Sequence, residues 1–158
     1  MKQMLAWLFL IVAWASGVAL ADEGVPYAQD LRKDAKTAQD KNGVLLVVFS
    51  GEYCRYCDIV LKEFLIPMSR NADYQSKLVM RKVEMSGAKE LLDFKGNKVA
   101  HRKFARDNGA RMMPTVMIFD AKGHPLAKPV VGITTVDFYG FYLDQAINEG
   151  LEKVRKRS

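Results

Sequence analysis

The chain has 158 residues, 49% of them hydrophobic and 27% charged, with a formal net charge of +6. That length suits one domain around one core, and that composition excludes a disordered, collagen-like or low-complexity chain. The basic excess is modest and spread out except at Lys153, Arg155, Lys156 and Arg157, a run that reads as the solvated end of a helix, so no nucleic-acid partner is expected.

In chain order, residues 1–21 come first, with seventeen apolar residues and both tryptophans, Trp7 and Trp14. Lys2 gives a short positive start and residues 4–15 an apolar stretch, which Ser16-Gly17 breaks. Ala19-Leu20-Ala21 then sets small residues where a signal peptidase reads, and Asp22-Glu23 follows. This points to a cleaved secretory signal over residues 1–21 and one mature domain over 22–158, in an oxidising compartment such as a bacterial periplasm. The competing reading is an uncleaved inner-membrane anchor, because residues 4–20 approach the ~20 apolar residues that span a bilayer. Once the signal is removed, the chain carries +5 and no tryptophan.

Residues 27–40 place Leu31, Ala35 and Ala38 on one face and predict an amphipathic helix stopped at Asn42-Gly43. Residues 44–49 are an unbroken, β-branched apolar run and predict a strand buried on both faces. Residues 58–66 predict a second helix, ended by Pro67. Residues 78–85 predict another strand, and residues 87–100 read as irregular with a turn at Lys95-Gly96-Asn97. A helix over 101–108 is stopped by Gly109. Residues 115–119 form a strand, with 126–131 available to pair with it as a hairpin. The last helix starts at Thr134 or Thr135, with Asp137 as capping-box partner, and runs through Phe138, Phe141, Tyr142, Ala146 and Leu151. Helices interleaved with strands predict an α/β fold, a three-layer α/β/α sandwich with a central mixed sheet.

The only cysteines form Cys54-Arg55-Tyr56-Cys57, just after a buried strand and at the first turn of a helix. Unpaired N–H groups and the helix dipole favour a thiolate there. Arg55 adds a cation, while Glu52 and Asp58 oppose it. A fall of about two pKa units from ~8.5 would amount to about 2.7 kcal/mol of thiolate stabilisation. Cys54 is therefore the candidate nucleophile, and Cys57, one turn along, the candidate resolving thiol. A purely structural disulfide gains little from a two-residue loop. A zinc site lacks ligands, since His101 and His124 do not have paired-histidine spacing, and no metal is expected. Met113-Pro114-Thr115 precedes a strand, where a proline is tolerated because its missing donor can fall outside the ladder.

With these motifs, residues 28–150 resemble the thioredoxin superfamily. Residues 44–53 with the cysteine turn are similar to its first core strand and redox turn. Residues 104–119, FARDNGARMMPTVMIF, are similar to its helix, cis-proline and following strand, and Gly123 and Val131-Gly132 to its hairpin turn and site glycine. Asp93-Phe94-Lys95-Gly96 is most similar to SoxW-type periplasmic thioredoxins. The resemblance implies a Cys54–Cys57 redox disulfide, a cis Pro114 beside it, and a substrate groove framed by Met113 and Thr115. Arg55 and Tyr56, in place of the family's Gly-Pro spacer, are expected to tune the redox properties, and Tyr53 stands where the family has tryptophan. Val48 occupies the place of the family's buried acid, for which Glu84 or Lys82 offers a partial substitute.

The resulting expectation is a monomeric thiol–disulfide oxidoreductase acting on protein disulfides or dithiols. The dithiol itself carries two electrons, so no cofactor is expected. A membrane electron donor or other redox partner would recharge it, and the SoxW resemblance suggests sulfur-oxidation proteins as clients. The alternatives are a disulfide oxidase or isomerase of secreted proteins, and a non-catalytic peptide-binding or chaperone module with Met112, Met113 and Met117 at its groove.

Overall fold

The computed structural model describes residues 24–133 and 135–157. The expected signal segment and Thr134 lie outside the described residues. Among those described, no helix is long and apolar enough to cross a membrane.

The sheet is built around β1 (Val44–Ser50), which pairs in parallel with β2 (Leu78–Glu84) and antiparallel with β5 (Thr115–Phe119). The two-residue β6 (Val130–Val131) closes the order β2-β1-β5-β6. Every residue of β1 is buried, which is why its sequence is apolar without alternation. Val44, Leu46 and Val48 face a core shared with Val60, Leu65, Leu143 and Ile147. Leu45, Val47 and Phe49 face a second core with Leu31, Ala35 and Phe104. The sheet thus lies between α1 (Leu31–Asp40) with α5 (His101–Asp107) on one side, and the helical residues 55–70 with α6 (Val136–Arg155) on the other. This is the expected three-layer α/β sandwich with a mixed central sheet.

Several boundaries differ from the sequence reading, each for a physical reason. α1 begins at Leu31, not at residue 27, because Asp30 caps it by accepting from the Arg32 and Lys33 N–H groups. The preceding residues run beside β2 instead, with Lys82 N–H donating to Pro26 O and Ala28 N–H to Lys82 O.

Pro67 does not end the second helix. Residues 55–70 are continuously helical: α2 (Arg55–Ile59), a π-helical stretch Val60–Leu65, and α3 (Ile66–Arg70). Ile66 N–H donates to Leu61 O, five residues back, and this wider register lets Pro67 sit in the first turn of α3, where its missing N–H costs little. A short α4 (Ala72–Gln75), capped by Asn71, follows.

Residues 87–100 are not irregular. They contain a hairpin, β3 (Glu90–Leu92) with β4 (Lys98–Ala100), closed by Asp93, whose carboxylate accepts from the Lys95 and Asn97 N–H groups. The strand expected over 126–131 shrinks to β6, although Leu126 N–H still donates to Ile118 O. α6 takes Thr135 as N-cap without a side-chain capping bond. Three of the four basic residues at its end are paired: Lys153 with Glu149, Lys156 with Glu152 and Arg157 with Asp120.

Candidate active site

β1 ends at Ser50, and a four-residue turn carries the chain into α2. Tyr53, at φ 56° and fully exposed, reverses the backbone in the left-handed region immediately before the cysteines. Cys54 is the N-cap of α2; its Sγ accepts from Cys57 N–H at 3.2 Å, and Asp58 N–H donates to Cys54 O at 3.1 Å. The helix start therefore presents the Cys57 N–H to the sulfur, a contact that favours a thiolate when the pair is reduced. Cys54 and Cys57 are joined by a disulfide, with Cα atoms 5.2 Å apart. Cys57 is buried at 1% exposure, whereas Cys54 is partly open. An incoming reactant thus reaches Cys54 first.

The second half of the site arrives with β5. The Met113–Pro114 peptide bond is cis. Thr115 pairs with Phe49 and with Val131, which brings the Met113–Pro114 segment to the end of β1 from which the cysteine turn departs. Gly51 fits there because it has no side chain: a Cβ would overlap the Ser86 hydroxyl and the Met113 sulfur. Gly132, at φ 65°, donates its N–H to Pro114 O at 2.7 Å.

Of the residues expected around the dithiol, Met113 is exposed, as are Arg55 and Tyr56. Thr115 differs. It is buried, and its Oγ1 donates to Met112 O at 2.9 Å, so its side chain braces the loop and does not line a groove. The exposed apolar side chains Tyr53, Tyr56, Met112 and Met113 belong to these two segments.

Val48 is fully buried, leaving no acid at its position. Of the two suggested substitutes, Lys82 is committed elsewhere, its ammonium 4.1 Å from the Tyr27 ring centre. Glu84 is buried in register with Ser50, and its Oε1 accepts from Ser86 N–H.

Sequence reasoning passed over His101 except as a rejected metal ligand. It is buried, its Nδ1 accepts from Glu84 N–H at 2.9 Å, and its Nε2 donates to Ala28 O at 3.0 Å. Burial holds its pKa below the ordinary histidine value; the Ala28 bond and Glu84 oppose that shift and Lys89 adds to it. Its partners are 17 and 73 residues away, so no local pattern reveals it.

A cleft lined by Asn42, Gly43, Asp120, Lys122, His124 and Arg157 lies where β1 begins and β5 ends, at the opposite end of the sheet from the dithiol.

A sheet between helical layers, with a Cys-x-x-Cys disulfide heading a helix, is the arrangement that the thioredoxin resemblance implies. A thioredoxin-like domain model matches residues 31–147, and the chain belongs to that family. Mitochondrial thioredoxin 3 from Saccharomyces cerevisiae, solved in its oxidised form, is similar in fold with a TM-score of 0.51 at 14% identity, over 79% of this chain and 94% of that one. Malassezia sympodialis thioredoxin gives a TM-score of 0.49 at 19% identity, over 80% and 96%. No curated protein matches the sequence significantly. Family and dithiol together support thiol–disulfide redox chemistry.

Proposed function

We propose that this protein is an exported thiol–disulfide oxidoreductase that reduces or exchanges disulfides of partner proteins. The observation that carries the reading is the asymmetry of the pair: Cys54 is open at a helix start, and Cys57 is buried one turn along with its N–H on the Cys54 sulfur. In the reduced protein the Cys54 thiolate attacks a partner disulfide and displaces one partner thiolate. Cys57 then attacks the mixed disulfide, releasing the second thiolate and closing Cys54–Cys57. Two electrons pass to the partner, and a redox partner such as a membrane electron donor must return them. Residues 1–21 support export to the periplasm, and Asp93-Phe94-Lys95-Gly96 supports a SoxW-like role with sulfur-oxidation proteins as clients.

The test is alkylation of the reduced protein as a function of pH. Cys54 is expected to react much faster than Cys57, with a pKa below ~7.5. Cys57→Ser should trap mixed disulfides and Cys54→Ser should be inert. Equal rates for both thiols near an unshifted ~8.5 would overturn the reading. Equilibration with glutathione buffers of known potential then places the protein as reductant or oxidant, and intact mass of periplasmic material should show a chain beginning at or near Asp22.

A further inference from the structure

The first half of α6 exposes a stripe of aromatic side chains that the redox chemistry does not use. Phe138, Phe141 and Tyr142 are 60%, 64% and 47% exposed. Their i, i+3, i+4 spacing puts them on one face of the helix, while Tyr139, Leu143, Ala146 and Ile147 are buried on the other. Scattered surface hydrophobes need no explanation, but three adjacent rings form a patch of the kind that marks contact sites. Aromatic anchors also carry a large share of the energy of protein interfaces.

The segment that leads into the stripe is bonded to the candidate active site. Val131, itself exposed, pairs with Thr115, and Gly132 N–H is bonded to Pro114 O. α6 begins four residues later, and at 1.5 Å per residue its aromatic stripe spans only about the first 9 Å of the helix. A partner of ordinary interface size, about 800 Å² a side, whose disulfide engages Cys54 would reach it.

Charge selects the occupant. Between Ile133 and Glu152 there is no lysine or arginine, although the chain as a whole carries +6. Asp137 and Asp144 flank the rings, Asp144 accepting from the Tyr74 hydroxyl, while Lys128 borders Tyr142 in a shallow cleft with Glu149. An anionic lipid surface would be repelled. A second copy packed through a two-fold axis would set the same acids against themselves. A cationic apolar segment matches both the rings and the sign.

We propose that this face of α6 is the docking surface for the partner protein whose disulfide Cys54 attacks, received through an apolar segment flanked by lysine or arginine. The proposal rests on the oxidoreductase reading above and adds the chemistry of its partner.

The experiment uses two synthetic amphipathic helices, leucine–lysine and leucine–glutamate. Each ends in a cysteine carried as a mixed disulfide with thionitrobenzoate. Attack by the Cys54 thiolate on the peptide sulfur breaks that disulfide and releases coloured thionitrobenzoate. Cys57 then closes Cys54–Cys57 and frees the peptide thiol. The lysine peptide is expected to react about tenfold faster than the glutamate peptide. Replacing Phe138, Phe141 and Tyr142 together by serine should abolish that advantage, and Asp137→Lys should reduce it, while both variants react with Ellman's reagent as the wild type does. Equal rates for the two peptides, or an advantage that survives in the triple variant, would overturn the proposal. So would stripe-dependent binding to phosphatidylglycerol vesicles, or a stripe-dependent dimer in sedimentation. Inertness of the wild type towards Ellman's reagent would instead remove the oxidoreductase reading and this proposal with it.

Discussion

At the scale of single residues, two buried polar groups contrast sharply. His101 has both ring nitrogens engaged. The Tyr139 hydroxyl, buried in the core beneath α6, finds no partner among the described residues. Burial pushes that phenol's pKa well above the ordinary tyrosine value, because the ionised oxygen would have neither water nor a donor. The Tyr139 ring itself is well placed, packed on Phe64 with centroids 5.1 Å apart. The aromatic packing therefore stabilises the core while the hydroxyl detracts from it. Tyr139→Phe keeps the ring and removes an unsatisfied group, so it should leave stability unchanged or raise it by up to about 1 kcal/mol, read as an increased urea midpoint at constant slope. A loss of more than that would mean the hydroxyl has a partner.

At the scale of elements, legibility followed the kind of signal each segment carries. β1 was readable because burial on both faces writes an unbroken apolar run. The cysteine pair was readable because its chemistry needs a fixed spacing after a strand. The π-helical turn was not, since inserting one residue into a helix barely alters the apolar pattern around Val60 and Leu65. Nor were β3 and β4, each three residues long and largely exposed, because alternation cannot be seen over such a length. What holds that hairpin is remote: Phe94 packs on Phe104 and Phe119, and Gly123 leaves the space its ring fills.

The start of α1 shows the opposite case, a boundary set by one side chain. Asp30 accepts from Arg32 and Lys33 N–H and pairs with the Arg32 guanidinium at 3.1 Å. The Arg32 bond, with the N–H groups it caps, holds its carboxyl below the ordinary aspartate value against a burial effect of opposite sign. Asp30→Ala should cost about 1 kcal/mol, and Asp30→Asn, which keeps a capping oxygen, clearly less. Equal losses in the two variants, measured by urea denaturation at neutral pH, would assign the effect to the ion pair instead of the cap.

At the scale of the whole molecule, His101 ties together the segment before α1, the end of β2 and the start of α5, and the end of β2 carries the Ser86 turn on which Gly51 and Met113 lean. Its Nδ1 can accept from Glu84 N–H only while the ring is neutral, because both nitrogens of an imidazolium are donors. Burial lowers its folded pKa, while in the unfolded chain it titrates near ~6.5, so between those values the unfolded state binds the extra proton. The contribution is therefore complete above the unfolded value and is lost as pH falls through it towards the lower folded one. Stability should decline from pH 7 to pH 5, above the range where ordinary carboxylates titrate. His101→Phe removes both bonds and leaves Glu84 N–H and Ala28 O unpaired, at about 1–3 kcal/mol each. The variant should consequently be much less stable than the wild type at pH 8, and the gap should narrow as the wild type loses stability towards pH 5. Urea midpoints of both proteins across that range decide the matter. Parallel curves would show that the decline belongs to another group, and a wild type flat from pH 8 to pH 5 would show that the buried ring takes up its proton without breaking the tie.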